Sequence, residues 1–258
     1  MNRRTLFSAP LLLWATHAGA TQSFLSQGGL VVGRTAPGTR LALDGRALRV
    51  SPGGDYAFGF SRDHGESATL TTNGREERLS IARRQWSVQA ISGLPPAQVT
   101  PDAAALARIN AERDQLGRAR AADSVLTGFT ESFMRPAEGR ISGVFGSQRV
   151  LNGQPRQPHF GFDIAAPTGS PLLAVASGRV VLSESFFFFG NLLVIDHGHG
   201  INTLYAHLSR RDVTEGEVVT RGQRIGATGA TGRVTGPHLH FSLSWFQVWL
   251  DPQPVLGL

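Results

Sequence analysis

Cysteine and lysine are both missing from the 258 residues. Without cysteine no disulfide can form, so a fold outside a reducing compartment must be held by packing alone. Without lysine every one of the 25 basic residues is arginine, and against 19 acidic residues they give a formal charge of +6. A positive balance suits an anionic polymer such as cell wall, nucleic acid or lipid headgroups. The arginines are scattered and not clustered, however, which reads as compositional bias, and no nucleic-acid partner is expected. Long hydrophobic runs are also scarce. Past the N-terminus no segment approaches the length of a membrane helix. The 41% hydrophobic and 17% charged content is that of a globular protein, not a disordered one.

At the N-terminus, Met1-Asn2-Arg3-Arg4-Thr5-Leu6-Phe7 leads into Pro10-Leu11-Leu12-Leu13-Trp14-Ala15 and ends Ala18-Gly19-Ala20. A basic start, a short apolar stretch and a small-x-small end predict a secretory signal over 1–20. Arg3-Arg4 is compatible with a twin-arginine route, although an ordinary signal carries basic residues too. The expected mature chain starts near Thr21, has no transmembrane anchor, and resides in the periplasm or cell envelope.

The expected fold is mainly β. Residues 21–94 are broken by glycine and proline into short strands: Gly29–Gly33, Arg40–Gly45, Tyr56–Phe60 and Ala68–Thr71. Alternation such as Leu41/Leu43 and Tyr56/Phe58/Phe60 predicts half-buried strands in a small antiparallel, Ig-like β-sandwich. His64, in the charged run Arg62–Glu66, reads as a surface residue. Residues 95–138 are a linker and connector helix. Thr100 is its expected N-cap, Pro101 its first position, and Leu106, Ile109 and Leu116 its thin apolar stripe. Asp114 and Arg118 are spaced to pair along it. From residue 139 to 258 the pattern is again β-rich with few helices, predicting an antiparallel β domain.

The chemistry lies in that last part. His159 and Asp163, then His207, then His238 and His240 place four imidazoles and one carboxylate in a short stretch. Imidazole and carboxylate are zinc ligands, and three of them with an open position is the catalytic pattern. Gly161 and Pro167 argue for an extended segment, where residues four apart share a face. His238 and His240 share a face as well, and spacing alone leaves open which of them ligates. The remaining imidazoles titrate in the range needed to move protons. His197 and His199, in a glycine-rich turn, read as exposed.

The His-x-x-x-Asp spacing is accompanied by Asn191-Leu192-Leu193-Val194-Ile195-Asp196-His197-Gly198, Leu204-Tyr205-Ala206-His207-Leu208-Ser209, Gly222-Gln223-Arg224-Ile225-Gly226 and Thr231-Gly232-Arg233-Val234-Thr235-Gly236-Pro237-His238-Leu239-His240. Together these runs resemble the lysostaphin-type (LytM-like) zinc metallopeptidases, over roughly Gly139 to Pro252. The resemblance implies one Zn²⁺ per chain held by His159, Asp163 and His240. It implies that His238 acts as general base, and that His207 orients the attacking water or stabilises the oxyanion. Arg140–Gly146 with Asn152 is similar to the segment walling the substrate groove, and Tyr205 is expected to line it too. The implied activity is a secreted zinc metalloendopeptidase hydrolysing peptide crosslinks of bacterial peptidoglycan, with peptidoglycan peptides as partners and an envelope regulator as a further one. The competing expectation is a non-catalytic LytM-like protein that binds or activates another cell-wall hydrolase; such relatives typically lose ligands, and none is missing here. Phe186–Phe189 departs from the family's smaller loop, and is expected either to pack in the core or to wall the groove.

Overall fold

Glycine, proline and short alternating stretches divide most of this chain into brief antiparallel strands. The computed structural model describes residues 23–95 and 99–258. The expected signal (1–20), the mature start near Thr21 and residues 96–98 of the linker lie outside the described residues.

The first six strands are β1 (Leu30–Arg34), β2 (Leu41–Leu43), β3 (Arg46–Leu48), β4 (Asp55–Gly59), β5 (Ser67–Thr72) and β6 (Arg75–Ser80). β1 pairs with β4, and a second antiparallel sheet runs β3-β2-β5-β6. Asp44-Gly45 and Asn73-Gly74 take positive φ and close the tight hairpins. Phe58, Phe60, Leu41 and Leu43 are buried between the sheets. His64 is half-buried, not a surface residue: its ring lies 4.9 Å from Phe60, which shields one side of it.

β7 (Val88–Ile91) leads to α1 (Ala103–Arg120). The N-cap of α1 is Asp102, not Thr100. Its extended backbone lets the carboxylate accept from the Ala105 N–H at 2.8 Å, a strong way to satisfy a first-turn donor. Ile109 and Leu116 are buried as expected, whereas Leu106 faces solvent. The i,i+4 ion pair on the helix is Arg108–Glu112 at 2.6 Å.

The strands that follow are β8 (Arg140–Gly143), β9 (Gln148–Leu151), β10 (Gln154–Pro155), β11 (Phe162–Ala165), β12 (Pro171–Leu173), β13 (Gly178–Phe186), β14 (Gly190–Gly198), β15 (Ile201–Leu208), β16 (Arg210–Arg211), β17 (Val218–Val219), β18 (Arg224–Ala227), β19 (His238–Trp245) and β20 (Val248–Leu250), then a short α2 (Pro252–Val255). The large sheet runs β17-β13-β14-β15-β19-β11-β8, with β20 on β19. One face packs Leu193, Ile195, Tyr205, Phe241 and Leu243 into the main core, shared with residues of the small sheet β12-β18-β16. The other face packs Leu182, Leu192, Val194, Leu204 and Ala206 against Leu116 of α1. That second face carries the site described below.

Three features tie the two parts of the chain. Arg84 pairs with the buried Asp251 at 2.7 Å, Leu250 packs closely over Gly59, and β7 runs parallel to β9. No described helix is long and apolar enough to cross a membrane.

His197 and His199 are buried, not exposed. The segment around the turn Gly128–Thr130 packs onto them, with Phe133 and Phe129 against their rings and Leu126 against Gly198. His197 is held by the Ser177 carbonyl at 2.8 Å and Thr203 Oγ1 at 2.7 Å. Burial pushes it down to about 4 from its usual 6.5. Unfolded, it takes a proton near pH 6.5 that the folded chain refuses until about pH 4. Its stabilising contribution is therefore full above pH 6.5 and drains as pH falls through that window, by about 3 kcal/mol. In denaturant unfolding at pH 7.5 and 4.0, His197→Asn is expected to show a pH dependence smaller by roughly that amount.

Candidate metal centre

Strand register builds the site. β11 and β19 are antiparallel neighbours with Asp163 directly opposite His240 and Ala165 opposite His238. Period-two alternation sends Phe162, Ile164, Leu239 and Phe241 to the fully buried core and Asp163, His238, His240 and Ser242 to the other face. His159 arrives from the loop before β11. Its backbone N–H and carbonyl bond Ser147 and Gly146, each at 2.8 Å, and fix where its side chain begins.

Three atoms converge. His159 Nε2 lies 3.1 Å from Asp163 Oδ1 and 3.0 Å from His240 Nδ1, and His240 Nδ1 lies 2.9 Å from Asp163 Oδ1. The hydrogen-bond network assigns the tautomers. His159 Nδ1–H donates to the Val144 carbonyl at 3.1 Å, leaving Nε2 bare. Ser242 donates its hydroxyl to the Phe160 carbonyl at 2.7 Å, so it accepts from His240 Nε2–H at 3.0 Å and leaves Nδ1 bare. Two nitrogen lone pairs and a carboxylate oxygen thus face one another in a buried place, an arrangement that repels unless a cation lies between them. These are the residues that could hold a metal ion, each buried. Burial pushes His240 down to about 4.

His207 comes from the end of β15, where the ladder skips a residue opposite Asn191–Leu193 and His207 takes φ +65°. In an unbroken strand it would follow Tyr205 into the core. The irregularity turns it instead to the site, with its ring 4.8 Å from His238 and 5.9 Å from His240. Its Nδ1–H donates to the Thr231 carbonyl at 2.8 Å, and burial, with smaller contributions from His240 and His238, lowers it to about 3. His238 donates from Nδ1 to the Gly236 carbonyl at 2.8 Å.

The two expected groove residues lie elsewhere. Tyr205 is fully buried with its hydroxyl accepting from the Val175 N–H at 3.0 Å, because regular alternation opposite Phe241 of β19 leaves it on the core face. Asn152 sits at positive φ in the β9–β10 turn, and its amide clamps the backbone of Leu94. Phe186 is buried at the end of β13, while Phe188 and Phe189 help wall a cavity of about 570 Å³, so the run does both of the things expected of it. Phe189 stands 5.8 Å from the His240 ring.

Sequence reasoning missed several contributors. Ser242 could have been found, two residues beyond His240 on the same strand face. Gly143 and Gly161 are needed because nothing larger fits. A Cβ at Gly143 would meet Asp163 Oδ2 at 2.3 Å, and one at Gly161 would meet His240 Cε1 at 2.2 Å. Gly161→Ala is expected to displace the His240 ring and weaken metal binding about 10–100-fold, the range for lost support of a ligand. Metal content after dialysis checks it, with circular dichroism reporting an intact fold.

Comparison with known proteins agrees with this geometry. The pattern of Peptidase family M23 matches residues 157–252. That segment, which carries the whole His/Asp constellation, is a lysostaphin-type M23 peptidase domain. The chain is 47% identical over 105 residues to peptidoglycan DD-endopeptidase ShyA of Vibrio cholerae, covering 40% of this chain and 24% of ShyA. It is 43% identical over 116 residues to DD-carboxypeptidase/endopeptidase Mpg of Neisseria meningitidis, covering 45% and 26%. The chain thus spans about a quarter of the length of the curated relatives it matches. A solved Pseudomonas aeruginosa structure assigned to peptidase M23 superposes over 92% of this chain and 96% of its own, with TM-score 0.72 and 27% identity.

Proposed function

We propose that the chain is an exported zinc metalloendopeptidase that hydrolyses peptide crosslinks of bacterial peptidoglycan in the periplasm or envelope. The observation that carries this reading is the convergence of three bare ligand atoms beside two further imidazoles, where two adjoining cavities meet at His207 and His240. Tetrahedral zinc with ligands at ~2.0–2.2 Å keeps its donors about 3.3–3.5 Å apart, a small relaxation from the separations found here. One zinc ion per chain would be held by His159, Asp163 and His240. When bound, it supplies Lewis acidity towards a peptide carbonyl and acidifies a water.

The chain's own groups do the rest. His238, with Nδ1 committed to Gly236, presents Nε2 as the base that takes the water proton and returns it to the leaving amine. His207 is neutral at working pH, and its tautomer accepts at Nε2 and cannot donate there. This supports orienting the water over stabilising an oxyanion. The peptidoglycan assignment draws on the names of the relatives, and zinc on the donor set. A non-catalytic regulator finds no support, because all five residues are present and gathered together.

The test is mass spectrometry of crosslinked muropeptides after incubation with purified protein. Fragment release with one zinc per chain, abolished by a chelator and restored by zinc, is the expected result. Intact muropeptides of every crosslink type, with stoichiometric zinc bound, would overturn it.

A further inference from the structure

We propose that Gln89 and Arg149 clamp the main chain of one substrate residue, Gln89 Oε1 accepting its N–H and Arg149 Nε donating to its carbonyl. This rests on the peptidase reading above and adds to that cleft a strand from well before the metal ligands, β7.

The strand is built into the cleft wall. β7 lies parallel to β9, with Gln89 opposite Arg149 and Ile91 opposite Leu151. Register partners share a face of a sheet, so these four side chains turn the same way. All four line the smaller of the two cavities, about 250 Å³, together with Asp163 and His238. Val88, on the alternate face, is 69% exposed. Backbone bonds fix the strand at both ends: the Gln148 N–H donates to the Ser87 carbonyl and the Asn152 N–H to the Ile91 carbonyl, each at 2.8 Å. The Asn152 side chain then holds the backbone of Leu94.

The polar atoms of that wall complement a peptide main chain. Gln89 Oε1 and Arg149 Nε are both buried, and neither has a hydrogen-bond partner among the described residues. One is an acceptor and the other a donor, and they sit on register partners. Turning the Gln89 amide over would set its NH2 beside a guanidinium, so the oxygen is the inward atom. A buried polar atom without a partner is costly, and at a cleft wall a ligand that supplies the partner removes that cost. In an extended peptide the N–H and carbonyl of one residue point to the same side, as in a hydrogen-bonded antiparallel pair that exchanges both bonds. Side chains on adjacent strands start about 4.8 Å apart, close enough to serve both groups. Arg149 Nη2 lies 3.3 Å from Asp163 Oδ2, which anchors the guanidinium and partly balances its charge. The clamp therefore takes a neutral secondary-amide main chain, and refuses a residue whose N–H is missing, such as proline.

Synthetic crosslinked stem peptides test it, each with one non-scissile amide N–H replaced by an ester oxygen. One ester is expected to lose about tenfold or more in kcat/KM, mainly through KM, because ground state and transition state make the bond alike. Gln89→Met, similar in size and without the acceptor, should lose a similar factor on the parent peptide, with zinc still at one per chain. It should also fail to distinguish the parent from that ester. The two changes together should thus cost little more than either alone, the mark of a single shared bond, whereas a merely structural role gives additive losses. Arg149→Met also disturbs Asp163, so Gln89 is the decisive position. The ester comparison in the wild type stands whether or not the variant folds.

Binding to the metal-stripped protein repeats the comparison without turnover. The parent should bind about tenfold or more tighter than one of the esters, and Gln89→Met should bind those two alike. Parent and every ester binding equally, or additive losses in the cycle, would overturn the clamp. So would Gln89→Met cleaving faster than wild type, the result expected if β7 merely plugs the cleft. Selective binding with no cleavage of any peptide would instead overturn the peptidase reading and leave the clamp standing.

Discussion

Asp163→Ala is expected to yield a folded protein that retains no zinc through dialysis and releases no more muropeptide fragments than chelated wild type. Asp163 is the only anion among the three converging donors, and its Oδ1 lies within hydrogen-bond distance of both imidazoles. Its loss leaves His159 Nε2 and His240 Nδ1 facing each other at 3.0 Å, with nothing to balance a divalent charge. Loss of supporting contacts alone costs 10–100-fold in metal affinity, so loss of a ligand should cost at least about a hundredfold. The fold should survive. The strands on either side are held by their backbone ladder, which outlasts the loss of the Arg149–Asp163 pair. Zinc content, circular dichroism and fragment release are the three readings required. Full zinc retention would remove Asp163 from the ligand set.

His238→Ala should separate chemistry from metal binding. The expected result is a loss of about 10²–10⁴-fold in kcat, the usual worth of a positioned acid–base group, with zinc still bound. His238 donates only to the Gly236 carbonyl and is no part of the converging triad, so its removal should leave the ion in place. His207→Ala should behave likewise. The rings stand 4.8 Å apart, within reach of a shared water, and groups that act as a unit do not give additive losses. The double variant should therefore be scarcely slower than the worse single one. Because His207 is held near 3, it stays neutral from pH 5 to 9, and the acid limb of the activity profile should not come from it.

The constellation was legible wherever the chain is regular. His-x-His and the Asp163 side of His-x-x-x-Asp follow strand alternation, and the fold class follows from short alternating runs. Legibility failed wherever one residue breaks the ladder. Tyr205 and His207 are two apart and should share a face, but the irregularity sends His207 to the cleft while Tyr205 stays with the core. His197 and His199 look exposed in a turn of glycines. What covers them arrives from residues 126–133, a contact no local pattern announces. The same applies to β7 beside β9, a parallel pairing between segments more than fifty residues apart. Arg149 was invisible for that reason: on sequence it is one arginine among 25, and only the sheet brings it to Asp163.

The joint at Gly59, Leu250 and the Arg84–Asp251 pair bears on how a minimal metal-site fragment should be cut. A truncation starting at Gly139 would wet the flank of Leu250, strip Asp251 of its counter-ion and cost the last strand its backing. Such a fragment is a candidate for clumping at concentrations where the intact polypeptide stays dispersed. The amino-terminal sheets act as a splint for the half that carries the His/Asp cluster, whatever else they touch.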